Sequence, residues 1–315
     1  MSTRVAAVDC GTNSVRLLVA DVAGDSLRDL ERLMEIVRLG EDVDRTGRLA
    51  PQALRRTFDA MRRYRELIDH HAAEVTRVVA TSATRDAANR QEFADGVREI
   101  FGVDPEVVSG DEEAVLSFTG ATRGLARLSP ETGLPEGPRP PYLVLDIGGG
   151  STEFVVGGDE VEGAISVDIG SVRLTERHVR NDPPTPSELE SVVADIEAAL
   201  DRVADSVPIQ KARTLVGLAG SVTTLAGMAL DLPTYDSDKI HHSRISAEQV
   251  HEVTRRLLSM THGDRLAVPV MHPGRADVIG AGALILDRVL RRFAFSQVIV
   301  SEHDILDGIA WSLAR

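Results

Sequence analysis

Two stretches of the chain share one layout, and that repeat restricts the folds open to it. Asp9-Cys10-Gly11-Thr12-Asn13-Ser14 follows apolar residues 5–8 and precedes the apolar run 15–19. Asp146-Ile147-Gly148-Gly149-Gly150-Ser151 follows residues 143–145 and precedes Phe154-Val155-Val156. In each, an apolar strand runs into an Asp, Gly follows at +2 and Ser at +5, and a second apolar strand begins. This pattern predicts two β-hairpins with an acidic residue and a Gly/Ser turn at the tip. Such a turn aims backbone N–H groups at an anion, while the carboxylate holds a cation directly or through water. Two such turns facing each other would grip a metal–polyphosphate from both sides.

The rest of the chain is consistent with one hairpin in each of two α/β domains. A length of 315 residues gives each domain its own core. The segment 128–141 holds Pro130, Gly133, Pro135, Gly137, Pro138, Pro140 and Pro141 and is the best domain boundary. Before it, strands are expected at 4–9, 15–22, 33–39, 78–80 and 107–108. Helices are expected at 51–71, 90–101 and from Ser109 onward. After it come strands near 143–145, 154–156, 161–167, 214–218 and 297–300. Helices fit 186–203, 246–260, 275–293 and 304–314, with Ser187 near the start of the first of these.

A net charge of −14 argues against a general nucleic-acid binder, and an aromatic content of 3% argues against base-stacking platforms. No apolar run is long enough to span a membrane, and Arg4 leads straight into a short strand without a secretory leader. The single cysteine, Cys10, forms no internal disulfide. Together these predict a cytoplasmic protein.

Asp9 and Asp146 are the candidate metal anchors. Mg²⁺ prefers hard oxygen ligands and keeps several waters, so one or two carboxylates plus substrate phosphate suffice. Glu153 lies two residues beyond Ser151 and joins the metal's outer shell if the strand is extended. Gly11, Thr12, Asn13 and Ser14 form one candidate phosphate loop, and Gly148, Gly149, Gly150 and Ser151 the other. Gly220 and Ser221 end a strand before a helix, whose N-terminus suits further phosphate. Glu112 and Glu113 open a helix, and spacing alone does not choose between them as a general base. Arg85 follows a short strand, where a guanidinium suits a phosphate clamp. Cys10 reads as packing, His70-His71 and His241-His242 as surface pairs, and the arginine clusters at 55–56, 62–65 and 288–292 as solvated helix faces.

Five segments, in this order, resemble the exopolyphosphatase / guanosine pentaphosphate phosphohydrolase family. They are Val8-Asp9-Cys10-Gly11-Thr12-Asn13-Ser14, Ala80-Thr81-Ser82-Ala83-Thr84-Arg85-Asp86-Ala87, Ser109-Gly110-Asp111-Glu112-Glu113-Ala114, Asp146-Ile147-Gly148-Gly149-Gly150-Ser151-Thr152-Glu153 and Gly217-Leu218-Ala219-Gly220-Ser221-Val222-Thr223-Thr224. The resemblance is closest to short members without a C-terminal helical region. It implies two duplicated actin-like (ribonuclease H-like) α/β domains with a cleft between them. The implied boundaries are 1–127 plus a returning 302–315 for one domain, and 128–301 for the other. It selects Glu113 as the catalytic base, supports Arg85 as a phosphate clamp, and suggests a homodimer. The expected activity is Mg²⁺-dependent release of terminal phosphate from inorganic polyphosphate. The alternatives are guanosine pentaphosphate as substrate, a polyphosphate or nucleotide sensor with little turnover, and a kinase of the same superfamily. One departure stands out: Val115 follows Glu-Glu-Ala where the family often has a charged residue.

Overall fold

A computed structural model describes residues 2–125 and 137–314. The expected boundary at 127/128, and most of the Pro/Gly segment around it, lie outside the described residues. The chain forms two compact units, Met1–Gly120 with Ile305–Arg315, and Ala121–Asp304.

Unit 1 carries a sheet of β1 (Thr3–Cys10), β2 (Ser14–Ala23), β3 (Ser26–Ile36), β4 (Val75–Ala80) and β5 (Glu106–Val107), in the order β3-β2-β1-β4-β5. The first three strands are antiparallel neighbours, while β4 runs parallel to β1 and β5 to β4. Its helices are α1 (Val43–Thr46), α2 (Pro51–His70), α3 (Ser82–Asp86), α4 (Arg90–Phe101), α5 (Gly110–Thr122) and α13 (Ile305–Leu313). Both sheet faces are covered, so β1 is apolar without alternation. Ala6, Val8 and Cys10 pack in one cluster with Met61 and Tyr64 of α2 and Phe93 and Val97 of α4. Val5 and Ala7 pack in the other with Ile305, Leu306 and Ile309 of α13. Arg32 on β3 grips α13 through a forked ion pair to the buried Asp307, at 2.6 and 3.2 Å.

The third strand was expected at 33–39 and instead spans Ser26–Ile36. Gly24, with φ of 56°, and Asp25 close a tight reversal in which Ala23 pairs with Ser26. The strand therefore starts at once, but it lies on the sheet edge. Arg28, Asp29, Glu31 and Arg32 dilute the apolar signal that would mark it.

Unit 2 repeats the plan. Its sheet comprises β6 (Tyr142–Ile147), β7 (Thr152–Gly157), β8 (Val161–Val167), β9 (Thr214–Leu218), β10 (Arg244–Ser246) and β11 (Gln297–Val300), in the order β10-β11-β9-β6-β7-β8. Read from β8, antiparallel β8-β7-β6 followed by parallel β9 and β11 matches unit 1 strand for strand. Two α/β units with this shared strand order are the fold class expected from the repeat.

The helices of unit 2 are α6 (Ser171–His178), α7 (Pro186–Ser206), α8 (Ala219–Ala229), α9 (Ser237–Ile240), α10 (Ala247–Ser259), α11 (His262–Leu266) and α12 (Ile279–Arg292). Ser187 lies in the first turn of α7, whose N-cap is Thr185, in a capping box with Glu188. Short α6 carries three polar residues in its last turn and gives no long apolar stripe, so periodicity misses it. No helix among the described residues is long and apolar enough to cross a membrane.

Candidate active site

The two hairpin turns are built alike at the level of single hydrogen bonds. In the first, Gly11 N donates to Ser14 O at 2.9 Å. The carbonyls of Thr12 and Asn13 are taken by the backbone that follows β3. Gly40 N donates to Thr12 O at 2.8 Å, and Val37 N and Arg38 N donate to Asn13 O at 3.0 and 2.9 Å. In the second, Gly148 N donates to Ser151 O at 3.0 Å. Its carbonyls are taken by the backbone that follows β8. Ser171 N donates to Gly148 O at 3.0 Å, and Val172 N and Arg173 N donate to Gly149 O at 2.9 and 3.0 Å. Arg173 Nε adds a bond to Gly150 O at 2.6 Å.

This bonding decides where the amides point. In a trans peptide the N–H lies opposite the C=O. Drawing the carbonyls of Gly148, Gly149 and Gly150 back into the fold aims the next three amides, through Ser151, the other way. Successive amides aimed together form an anion-binding concavity. The carbonyl acceptors can be reached so closely only because a glycine sits beside each turn. A β-carbon on Gly40 would come within 2.3 Å of Thr12 Cγ2, and one on Gly170 within 2.3 Å of Gly149 O.

The turns differ in charge. Asp9 lies directly across from Arg16 on β2, and Asp146 directly across from Glu153 on β7. Arg16 donates to Asp9 Oδ2 from Nε at 2.9 Å and from Nη2 at 2.7 Å. The first turn is therefore an internally neutralised ion pair. The second brings two carboxylates, 7% and 1% exposed, to one sheet face. Glu153 Oε1 accepts a hydrogen bond from Ser166 on β8 at 2.7 Å. Two adjacent buried carboxylates are a donor set suited to a hard cation. Among the described residues, no group of three or more His, Cys, Asp or Glu side chains is arranged to hold a metal.

Glu112 and Glu113, which spacing leaves equivalent, have different surroundings. Ser109 Oγ caps α5 by accepting from Glu112 N at 3.2 Å. Glu112 reaches outward, 3.8 Å from Arg77, with its side chain 52% exposed. Glu113 turns inward, and its Oε2 lies 3.2 Å from Arg85 Nη1. The same Nη1 donates to Val108 O at 3.0 Å. Arg85 sits in the last turn of α3, not in a loop. At the start of α3, Ser82 Oγ lies 2.8 Å from Thr12 Oγ1 in the first turn. Short α3 thus links the first turn to Glu113. Val115 is exposed.

Gly220 and Ser221 fall in the first turn of α8, after Ala219 with φ of 66°. Gly220 lies beneath the Arg275 guanidinium, which a β-carbon there would meet at 2.1 Å. Ser221 is buried against α12, where a β-carbon on Gly282 would come within 2.3 Å of its Oγ and 3.4 Å of Ser171 Cβ. Ser171 in turn bonds Gly148, so α8 and the second turn share a neighbourhood. Cys10 is buried, and that burial, with the Asp9 charge second, pushes its thiol well above the ordinary range. It is a packing residue in the protonated form.

Arg16, Ser82, Arg173 and Arg275 were not singled out from sequence, and neither were Gly40 and Gly170. Only Arg16 left a usable signal, since a hairpin centred on the Gly11–Asn13 turn pairs it with Asp9. The His241-His242 pair is not a surface feature. Its rings are half-buried with centroids 3.6 Å apart, and His303 lies 4.5 Å from His241. The arginine helix faces are ion-paired rather than merely solvated, as in Arg63–Glu35, Arg65–Asp69 and Arg292–Asp201.

The chain is 47% identical to exopolyphosphatase 2 of Mycobacterium tuberculosis, over 99% of both chains. It is 27% identical to a guanosine-5'-triphosphate,3'-diphosphate pyrophosphatase of Aeromonas salmonicida, over 98% of this chain but 59% of that one. A solved structure of an exopolyphosphatase-like protein superimposes with a TM-score of 0.93 at 43% identity, covering 100% of this chain and 98% of the other. The family model described as the Ppx/GppA phosphatase family matches residues 18–315. With the duplicated turns and this match spanning nearly the whole sequence, the chain belongs to the Ppx/GppA phosphatase family.

Proposed function

We propose that this protein is an exopolyphosphatase that releases terminal orthophosphate from inorganic polyphosphate by attack of water. The observation that carries the choice of substrate is the full-length similarity to an exopolyphosphatase, against a weaker and partial similarity to a guanosine pentaphosphate enzyme. Guanosine pentaphosphate hydrolysis is the second reading. Retained binding without turnover is a third.

In this reading Glu113 orients the attacking water and accepts its proton at the carboxylate. Arg85 holds that carboxylate in place through Nη1, and its Nε and Nη2 are available to a phosphate oxygen. The amides of the two turns, around Gly11–Ser14 and Gly148–Ser151, steady phosphate oxygens. Gly220 and Arg275 supply a further anion contact. Asp146 and Glu153 fit Mg²⁺, and Asp9, neutralised by Arg16, has less charge to offer a cation directly. Bound Mg²⁺ would offset the charge that develops on the phosphate oxygens. The reading includes a cytoplasmic location, expected from the sequence, and a homodimer, implied by the family resemblance.

The test is a phosphate-release panel with tripolyphosphate, long-chain polyphosphate and guanosine pentaphosphate, each with Mg²⁺ and with excess chelator. Release from polyphosphate that exceeds release from guanosine pentaphosphate and is lost with chelator is the expected result. Preferential release from guanosine pentaphosphate would select the second reading, and tight binding without release from any substrate the third.

A further inference from the structure

The two turns hold the same backbone place by different means. Asn13 and Gly150 each stand four residues after the Asp of their repeat. Asn13 O accepts from two backbone amides, Val37 N and Arg38 N, at 3.0 and 2.9 Å. Gly150 O accepts from a side chain, Arg173 Nε, at 2.6 Å. The amide of the same residue, Arg173 N, donates to Gly149 O at 3.0 Å. One residue therefore grips two successive carbonyls of the second turn, one from its backbone and one from its guanidinium.

Arg173 is itself carried on fixed backbone. It lies in the first turn of α6, whose Leu174 is buried in the unit 2 core. Ahead of α6, Thr152 Oγ1 donates to Ile169 O at 2.5 Å. At its far end, Arg177 Nη1 and His178 Nε2 lie 2.7 and 2.8 Å from Asp195 Oδ2 on α7. The peptide that Arg173 holds is different. It follows three glycines, whose backbone rotates without the steric limits of a β-carbon. A guanidinium bond to its carbonyl is charge-assisted and about twice as strong as a neutral one. That bond also polarises the peptide, which strengthens the Ser151 N–H as a donor on the opposite side.

We propose that Arg173 is a positioning residue for the second turn: it fixes the Gly150–Ser151 peptide so that the Ser151 amide faces the phosphate. This rests on the reading above that the turn receives phosphate, and deepens it. In the first turn backbone amides hold Asn13 O, so no side chain is required there. The second turn depends on one side chain, and a single substitution can release it. With the tether gone, the peptide rotates among the conformations that glycine allows. An anion then has to order it on binding, which weakens affinity.

The test is calorimetric titration of the full chain with imidodiphosphate, a phosphoanhydride analogue that resists hydrolysis, in the presence of Mg²⁺. Arg173→Met keeps the apolar stem and removes the donors, and Arg173→Lys keeps a charged donor. Arg177→Ala cuts one anchor to Asp195 on the same helix. Arg173→Met is expected to weaken binding about tenfold or more, as loss of a charge-assisted bond implies. Arg173→Lys should bind at least about threefold tighter than Arg173→Met, and Arg177→Ala should stay within about twofold of the unmodified protein. Equal weakening in Arg173→Lys and Arg173→Met would leave only a packing role and overturn the proposal. Equal weakening in Arg177→Ala and Arg173→Met would mean general loosening of α6 and overturn it too. So would unchanged binding in Arg173→Met, or no binding by the unmodified protein. Phosphate release from tripolyphosphate by the unmodified protein is measured separately. Binding of the analogue without release would sink the hydrolytic reading and leave the Arg173 comparison standing.

Discussion

Arg16 stands directly opposite Asp9 across the first hairpin and gives both Nε and Nη2 to the same oxygen, Oδ2. At the equivalent place on the second hairpin, Glu153 faces Asp146. One duplicated frame thus carries an ion pair in one copy and a pair of carboxylates in the other. This difference leaves the first turn with its carboxylate neutralised and the second with two carboxylates side by side.

Removing Arg16 leaves Asp9, whose side chain is 3% exposed, without its counter-charge. Arg16→Ala is expected to lower stability by about 3 kcal/mol, the low end for breaking a buried pair, since Arg16 itself is partly exposed. Asp9→Asn, which keeps a hydrogen-bonding group, is expected to cost about 1 kcal/mol. Urea denaturation of both variants checks this. Equal costs would show that the pair does not behave as a buried charge pair.

Burial and the Arg85 contact single out Glu113, so the two neighbouring glutamates should differ in effect. Glu113→Gln is expected to lower kcat on polyphosphate by about 10²–10⁴-fold. Glu112→Gln, at an exposed side chain that reaches toward Arg77, should leave the rate near wild type. Arg85→Lys keeps the charge but loses the fork, and should lower kcat more than it raises KM. A wild-type rate in Glu113→Gln, or an equal loss in Glu112→Gln, would remove Glu113 from the mechanism.

Gly170 lets the start of α6 lie against the second turn. A β-carbon there would meet backbone atoms of Gly149 and Gly150 at 2.3–2.6 Å, so the turn must move. Gly170→Ala is expected to cost roughly 1–3 kcal/mol and to weaken turnover, because overpacked backbone has little room to yield. Gly263→Ala, in a helix with only Thr261 Oγ1 nearby at 3.8 Å, should be neutral or slightly stabilising. Thermal melts and turnover rates distinguish the two. A Gly170→Ala protein with normal Tm and normal turnover would contradict the close-approach argument.

Burial, and then the charge of neighbouring His303, lower His242 to about 4, from an ordinary value of 6.5. Since the folded value is depressed, the unfolded chain binds more protons between these limits. The stability that depends on neutral His242 is complete above about pH 6.5 and is lost as pH falls toward 4. His242→Asn tolerates the local φ of 64°, because Asn adopts left-handed backbone readily. It should flatten the stability profile between pH 7 and 4.5. Denaturation midpoints measured across that range check it, and an unchanged slope would assign the acid loss to other groups.

The amino-acid sequence by itself determined the duplicated hairpins, the two-unit α/β plan and the family, because these rest on local patterns. An apolar strand, an acidic tip and a glycine-rich turn are each written in consecutive residues. So were the helices 51–70 and 90–101, whose apolar spacing and stops are local. The edge strand Ser26–Ile36 was less legible because four of its eleven residues are exposed and none is fully buried. Short α3 and α6 lacked a stripe long enough to register. What only the tertiary structure decided is pairing between distant segments. It put Glu113 rather than Glu112 beside Arg85, Thr12 beside Ser82, Arg275 over Gly220 and Ser171 against the Gly148 carbonyl. Each contact joins residues separated by at least 23 positions, and no spacing rule reaches that far. The repeat sets the backbone frame. The charge on each copy of it is set by which side chain the sheet register brings across from the Asp.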